Sequence, residues 1–251
     1  MLKRLARIWP VQATSFRDSL GDLRAVQKPS RGAPFYSLAI NRPLGRFFAA
    51  GAHQLGLTPN HVTLISAAFT FSGIVLLAAL KPGVLTALLV TGALVLGYAL
   101  DASDGQLARL RGGGSLSGEW LDHSIDSVKI ATLHLAVLIT AYRNFDVPLW
   151  WMFVPLAFTA AYVVHFFGML LTDLLTRVRV AQTGTPAATT APSRVMSVLK
   201  LPTDYGFLCL SFLLLAVPTA FAVIYTAFAV AMVGYTALVL PRWYGRLKRI
   251  D

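Results

Sequence analysis

The chain has 251 residues, 56% of them hydrophobic and only 13% charged, with 22 Lys and Arg against 11 Asp and Glu and a net charge of +11. A soluble domain carries about 25% charged residues, and a mean hydropathy of +0.63 excludes that class and points to an integral membrane protein. The single cysteine, Cys209, excludes an intrachain disulfide and a multi-cysteine metal site. It lies in the apolar run Phe207 to Leu215 and reads as a small buried hydrophobe.

Residues 1–34 are polar and basic and contain no apolar stretch ending in a small-residue cleavage site, so no signal peptide is expected. They read as a basic cytoplasmic tail, followed by one membrane domain over 35–250. Residues 35–56 intersperse Phe35, Leu38, Phe47 and Phe48 with Arg42 and Arg46, the pattern of an amphipathic helix lying in the membrane interface. Pro43 is expected to start or break a helix there. Six stretches are candidates for crossing about 30 Å of hydrocarbon: 60–80, 84–109, 118–142, 147–175, 204–218 and 219–240. The fifth is short and is divided from the sixth by Pro218 alone, so five spans is the competing count. Thr58 and Pro59 form a helix start, Lys81-Pro82-Gly83 a tight turn, and 181–193 a flexible loop. The expected fold class is therefore all-α, with six transmembrane helices and an N-terminal interfacial helix.

All of the 22 Lys and Arg except Lys81, Lys129 and Arg143 fall on one side of this plan. The positive-inside bias puts both termini in the cytoplasm, and an inner (plasma) membrane is the expected location. A cationic rim facing anionic headgroups accounts for the basic excess without a nucleic-acid partner.

Residues 101–126 read DASDGQLARLRGGGSLSGEWLDHSID. On the second span Asp101, Asp104, Gly105, Ala108 and Arg109 share one helix face; on the third, Gly118, Asp122 and Asp126 do the same. The glycines of LRGGGSLS allow a sharp reversal, and Ser117 is expected to cap the next helix. Asp101 and Asp126 lie equally far from that turn, roughly 12 Å at 1.5 Å per residue, and Asp104 and Asp122 also match in depth. An antiparallel pair then gathers four carboxylates below the cytoplasmic surface. Such a cluster needs neutralising charge. Oxygen donors favour Mg²⁺, Mn²⁺ or Ca²⁺, and two ions sharing four carboxylates leave positions open for phosphate oxygens. Gly105, Ala108 and Gly118 clear room beside them for a nucleotide or pyrophosphate. The competing explanation is close helix packing through small residues, which does not demand four aspartates.

The stretch resembles the signature of the CDP-alcohol phosphotransferase family, D-x2-D-G-x2-A-R-x8-G-x3-D-x3-D. Asp101, Asp104, Gly105, Ala108, Arg109, Gly118, Asp122 and Asp126 meet every fixed position. The resemblance implies an enzyme of phospholipid biosynthesis. An acceptor hydroxyl attacks a CDP-linked lipid donor such as CDP-diacylglycerol, and CMP departs. It implies that Asp101, Asp104, Asp122 and Asp126 hold two Mg²⁺ or Mn²⁺ ions and that Asp126 is the general base. Gly105, Ala108, Arg109 and Gly118 then contact the nucleotide, and the protein is a homodimer.

Asn60 and Thr63 at the start of the first span, and Arg111, Lys129, Arg177 and Arg194, are candidate substrate contacts. The arginines would suit a phosphorylated acceptor such as inositol phosphate or glycerol 3-phosphate. Lys129 reads more readily as a structural ion pair, and Asp173 is placed to pair with Arg177 one turn later. His123 and His165 read as structural histidines, with His123 pointing off the motif face. Trp150, Trp151 and Trp243 read as interfacial anchors. Two other classes compete: a carboxylate-lined cation transporter, which calls for midplane acids on broken helices, and a non-catalytic membrane scaffold, which would tolerate losses in the motif.

Overall fold

The computed structural model describes residues 15–27, 34–184 and 204–250. The described residues form helices α1 (Phe16–Ala25), α2 (Arg42–Gln54), α3 (Pro59–Ala79), α4 (Val84–Leu110), α5 (Leu116–Asn144), α6 (Phe153–Thr183), α7 (Tyr205–Ser211) and α8 (Pro218–Leu247). A π-helical turn at Ser37–Asn41 leads into α2, and 3₁₀ turns at Leu149–Met152 and Phe212–Ala216 precede α6 and follow α7. Five helical stretches are long and apolar enough to cross a membrane: Pro59–Ala79, Val84–Leu110, Leu116–Asn144, Leu149–Thr183 and Pro218–Leu247. The protein is an all-α integral membrane protein.

The sixth expected span is a shorter apolar stretch, Tyr205–Ala216. Ring contacts show what it does. Phe158 lies on Tyr225, and His165 lies on Tyr235 and Trp243. Ascending numbers match along both helices, so α6 and α8 run in the same direction, and the chain between them has to return. Tyr205 packs on Tyr98 and Phe212 on Phe221. The short stretch therefore carries the chain from the depth of Tyr98 to the start of α8. Its break at Val217-Pro218 falls at the expected proline.

Local chemistry sets the helix ends that matter for the site. Thr58 caps α3, its hydroxyl accepting the His61 N–H at 3.2 Å, with Pro59 in the first turn. Gly112 and Gly113 adopt φ of 91° and 133°, the left-handed conformations that only glycine takes cheaply. Their N–H groups bond back to the Arg109 and Ala108 carbonyls at 3.1 and 2.9 Å, closing α4. The cap of α5 is Ser115, whose Oγ accepts from Gly118 N at 3.0 Å. Ser117, expected in that role, lies inside the first turn because the reversal needs two fewer residues.

Helices α3 and α4 pack closely through small residues. Ser66 Oγ donates to the Gly97 carbonyl at 2.8 Å, and Thr70 touches the space where a Gly97 Cβ would stand. At the far end the Thr140 hydroxyl donates to the Leu77 carbonyl, and Arg143 Nη1 donates to the Ala78 carbonyl at 2.9 Å. The main apolar core fills that far half, from Leu77, Val90 and Leu94 to Phe158, Phe212 and Phe221. Within it His134 Nδ1 and the Tyr225 hydroxyl share a 2.7 Å hydrogen bond, and the His134 ring stacks on Phe158.

Three features add to or correct the expectations. First, a helix lies within 1–34: Ser15 caps α1, and buried Leu23 joins Ala49, Ala50, Ala52, Val62 and Leu107 in one apolar cluster. The apolar residues of α1 are interspersed with as many charged ones, so composition hid them. Second, 181–183 belong to α6, which extends into the start of the expected loop and ends at Gly184, φ 66°. The Asp173–Arg177 pair at 2.5 Å and the Thr176 and Thr183 hydroxyls bonded to carbonyls one turn back satisfy its polar last turns. The remainder of that loop lies outside the described residues. Third, Trp151 is not an interfacial anchor: it is 5% exposed in the core, with Nε1 donating to Thr226.

Candidate active site

The four aspartates stand on the facing sides of α4 and α5. Lys129, on α5, joins them across the helices: Nζ donates to Asp101 Oδ1 at 3.0 Å and to Asp126 Oδ1 at 2.6 Å. Two carboxylate oxygens on one ammonium are no farther apart than two hydrogen bonds laid end to end. Asp104 is nearly buried, and Thr63 Oγ1 of α3 donates to its Oδ2 at 2.6 Å. Asp122, His123 and Asp126 offer ligand atoms that all lie within 4.8 Å of one another. Carboxylate oxygens in this arrangement, with one imidazole, are a donor set that fits a hard divalent cation such as Mg²⁺ or Mn²⁺.

A cavity of about 740 Å³ opens beside Asp104 and Asp122. Its floor is the small-residue surface of Gly105, Ala108 and Gly118, and Asn60, Thr63, Arg109, Arg111, Glu119, His123 and Arg177 also line it. The volume suits a nucleotide-sized ligand. An apolar groove of about 490 Å³ lies between α5 and α6, lined by Trp120, Ile130, Val163, Phe166, Phe167 and Leu170. Leu116, Glu119 and His123 line both spaces. A polar chamber and an apolar slot thus meet at His123, as a ligand with a charged head and a hydrocarbon tail would require.

Gly118 shows why a side chain is absent there. A Cβ would meet Asn60 Oδ1 at 3.0 Å and Ser115 Oγ at 3.1 Å, and larger groups would enter the cavity. Gly118→Val is expected to leave the fold recoverable and weaken binding of a cytidine diphosphate ligand at least about tenfold, near 1.4 kcal/mol. Equilibrium binding to protein in nanodiscs checks this, and unchanged affinity would remove Gly118 from the site.

The arginines divide. Arg109 lines the cavity, but its Nε donates to the Val26 carbonyl at 2.9 Å, so it also docks the end of α1. Arg111 lines the cavity too, and its positive charge, second to burial, pushes the nearby His53 imidazole on α2 below its ordinary pKa. Arg177 reaches the cavity wall already paired to Glu119 at 2.7 Å and Asp173 at 2.5 Å. A phosphorylated acceptor would compete with both carboxylates for it. Arg194 lies outside the described residues.

His123 does not point off the motif face. It lies 4.0 Å from Asp122 and 3.8 Å from Glu119, on the cavity wall. The pattern was there to find: Glu119, Asp122, His123 and Asp126 fall at i, i+3, i+4 and i+7, a single helix face. The docking of α1 through Gln27 onto Gln106, at 2.8 Å, and through Val26 onto Arg109 carried no comparable pattern.

The chain matches the family model described as CDP-alcohol phosphatidyltransferase over residues 56–238. It is 35% identical over 95 residues to the phosphatidylinositol phosphate synthase of Corynebacterium glutamicum, a match spanning 38% of this chain and 42% of that relative. Its fold is similar to the phosphatidylinositol phosphate synthase of Mycobacterium tuberculosis solved with manganese and citrate: the TM-score is 0.50 at 19% identity, covering 82% of this chain and 89% of the other. The same enzyme solved with CDP-DAG bound matches at TM-score 0.46 and 20% identity, covering 82% and 94%. The family match takes in every aspartate of the site and well over half of the sequence, and the chain belongs to the CDP-alcohol phosphatidyltransferase family.

Proposed function

We propose that the protein transfers a phosphatidyl-type group from a CDP-linked lipid, such as CDP-diacylglycerol, to an acceptor hydroxyl and releases CMP. The observation that carries this reading is the cavity itself. A nucleotide-sized polar chamber, walled by two of the four aspartates, opens into an apolar groove between α5 and α6. Neither a soluble nucleotide nor a bare ion would need both. Continuous α4 and α5 through the aspartates also argue against a transporter, which needs broken helices at its ion site.

In this reading Gly105, Ala108 and Gly118 admit the cytidine diphosphate, while Asn60, Arg109 and Arg111 border it. The lipid tails occupy the groove. Asp101, Asp104, Asp122 and Asp126 hold the divalent ions, with His123 beside them; when bound, such ions withdraw charge from the pyrophosphate. Thr63 fixes one oxygen of Asp104 and so orients the other. The acceptor oxygen forms a bond to the lipid-side phosphorus, and the bond from that phosphorus to the bridging oxygen breaks. CMP leaves with the electron pair. Asp126 takes the hydroxyl proton.

The acceptor is proposed to be a phosphoalcohol, with inositol phosphate first and glycerol 3-phosphate second, on the strength of the Corynebacterium relative's name and of Arg111 at the cavity. Cations gather where α4 ends and α8 finishes, whereas Lys81 and Arg143 lie at the opposite end. This distribution supports a cytoplasmic site and a cytoplasmic described end of α8 in an inner membrane. The long exposed apolar side of α6, including Phe153, Val164 and Leu171, offers a surface for a homodimer. The test is CMP release in membranes supplied with CDP-diacylglycerol, Mn²⁺ or Mg²⁺ and a panel of acceptors. Release stimulated by inositol phosphate is expected. No release with any CDP-linked donor would end this reading.

A further inference from the structure

Lys129 carries a consequence that the family signature does not contain. Its position follows from spacing: three residues past Asp126 on α5, it shares that residue's face and points across to α4. The side chain is buried, at 4% exposure. Its ammonium makes two charge-assisted hydrogen bonds, one to each helix, at 3.0 and 2.6 Å. A divalent ion bound by Asp101 and Asp126 must approach their oxygens to about 2.0–2.1 Å. The ammonium already holds one oxygen of each.

We propose that Lys129 is a built-in rival for divalent cations: it holds Asp101 and Asp126 together in the metal-free protein and weakens metal binding at their shared position. This rests on the metal reading of the four aspartates. Charge accounts for the direction. Fully ionised, the four aspartates would carry −4, and Lys129 brings +1 into the cluster before any metal arrives. Each incoming divalent ion therefore meets a smaller negative charge and a repelling neighbour at hydrogen-bond range, where burial limits screening. For Asp101 and Asp126 to give both oxygens to metal, Lys129 has to release them. The ion pair also keeps the carboxylates from repelling one another when no metal is bound, so the empty site stays assembled.

Mn²⁺ binding to purified protein in detergent, followed by electron paramagnetic resonance of the free ion, tests this without any turnover. Lys129→Met is expected to bind Mn²⁺ at least about tenfold more tightly than the wild type, while Lys129→Arg stays within about threefold. Thermal unfolding gives a second reading. Without metal Lys129→Met is less stable than the wild type, and saturating Mn²⁺ closes that gap because the ion replaces the lost charge. Lys129→Gln is the alternative if the Met variant does not fold without metal; recovery of either variant only in Mn²⁺ supports the proposal. A merely structural lysine predicts equal destabilisation with and without Mn²⁺ and unchanged affinity, and either result overturns the proposal. So does failure to recover both variants even in Mn²⁺. A wild type that takes up no Mn²⁺, or an Asp122→Asn variant that binds it as the wild type does, would instead refute the metal reading.

Discussion

Asp126→Asn is expected to lower CMP release by about 10²–10⁴-fold, the range for removing a general base, and to leave a folded protein. Asparagine keeps the size of the side chain, and its Oδ1 can still accept the Lys129 hydrogen bond that Asp126 accepts at 2.6 Å. What is lost is the negative charge, and with it proton affinity. The same substitution also removes a metal ligand, so the loss alone does not separate base from ligand. A comparison with Asp101→Asn does. Asp101 shares the same ammonium but is assigned no proton transfer. High Mn²⁺ should restore much of the Asp101→Asn activity and little of the Asp126→Asn activity. Rates measured in vesicles across a Mn²⁺ titration decide this. Near-normal turnover by Asp126→Asn would remove it as the base, and equal rescue of both variants would make it only a ligand.

The second large effect concerns the fold. Gly206→Ala is expected to destabilise the protein by about 3 kcal/mol, at the upper end for overpacking. A Cβ at Gly206 would overlap the ring of Tyr36 at Cδ1, Cγ and Cε1. That ring cannot give way easily. It is 2% exposed, flanked by Tyr98 and Phe207. Its own backbone N–H donates to Asp204 Oδ2 at 2.9 Å, while Gly206 N donates to Oδ1 of the same carboxylate at 3.1 Å. One buried aspartate thus ties the segment before α2 to the start of α7. The apparent melting temperature in detergent should fall by roughly 5–10 °C. In a Tyr36→Ala background the same Gly206→Ala change should cost far less, because the overlapping ring is gone. Equal costs in the two backgrounds would mean that this contact does not govern docking of α7.

The helix pair carrying the aspartates was legible in the sequence, for a physical reason. Intrahelical spacing is set by 3.6 residues per turn, so residues sharing a face can be counted, and the glycine-rich reversal fixes which depths on α4 and α5 correspond. Span limits were likewise close at Thr58-Pro59 and Pro218, where caps and prolines act locally. Length was less legible where polar residues find partners, as at the end of α6. There Thr183, read as part of the loop 181–193, continues the helix, its hydroxyl donating to the Arg179 carbonyl at 2.9 Å.

Contacts between elements far apart in sequence belong to the tertiary structure alone. Periodicity placed Lys129 on the Asp126 face, but only the approach of α4 to α5 made it a bridge to Asp101. Only the meeting of α5 with α6 produced the groove that joins the polar cavity at His123 and paired Arg177 with Glu119. Packing likewise brought Val26 to Arg109 across a sequence separation that no local pattern spans. The sequence by itself determined the membrane class, the four carboxylates, their shared helix faces and the family signature, because each depends on composition or on spacing within one helix. The tertiary structure decided which oxygen of each carboxylate is already taken, which cations remain for a substrate, and where a lipid tail can lie, because these depend on how separate helices approach one another.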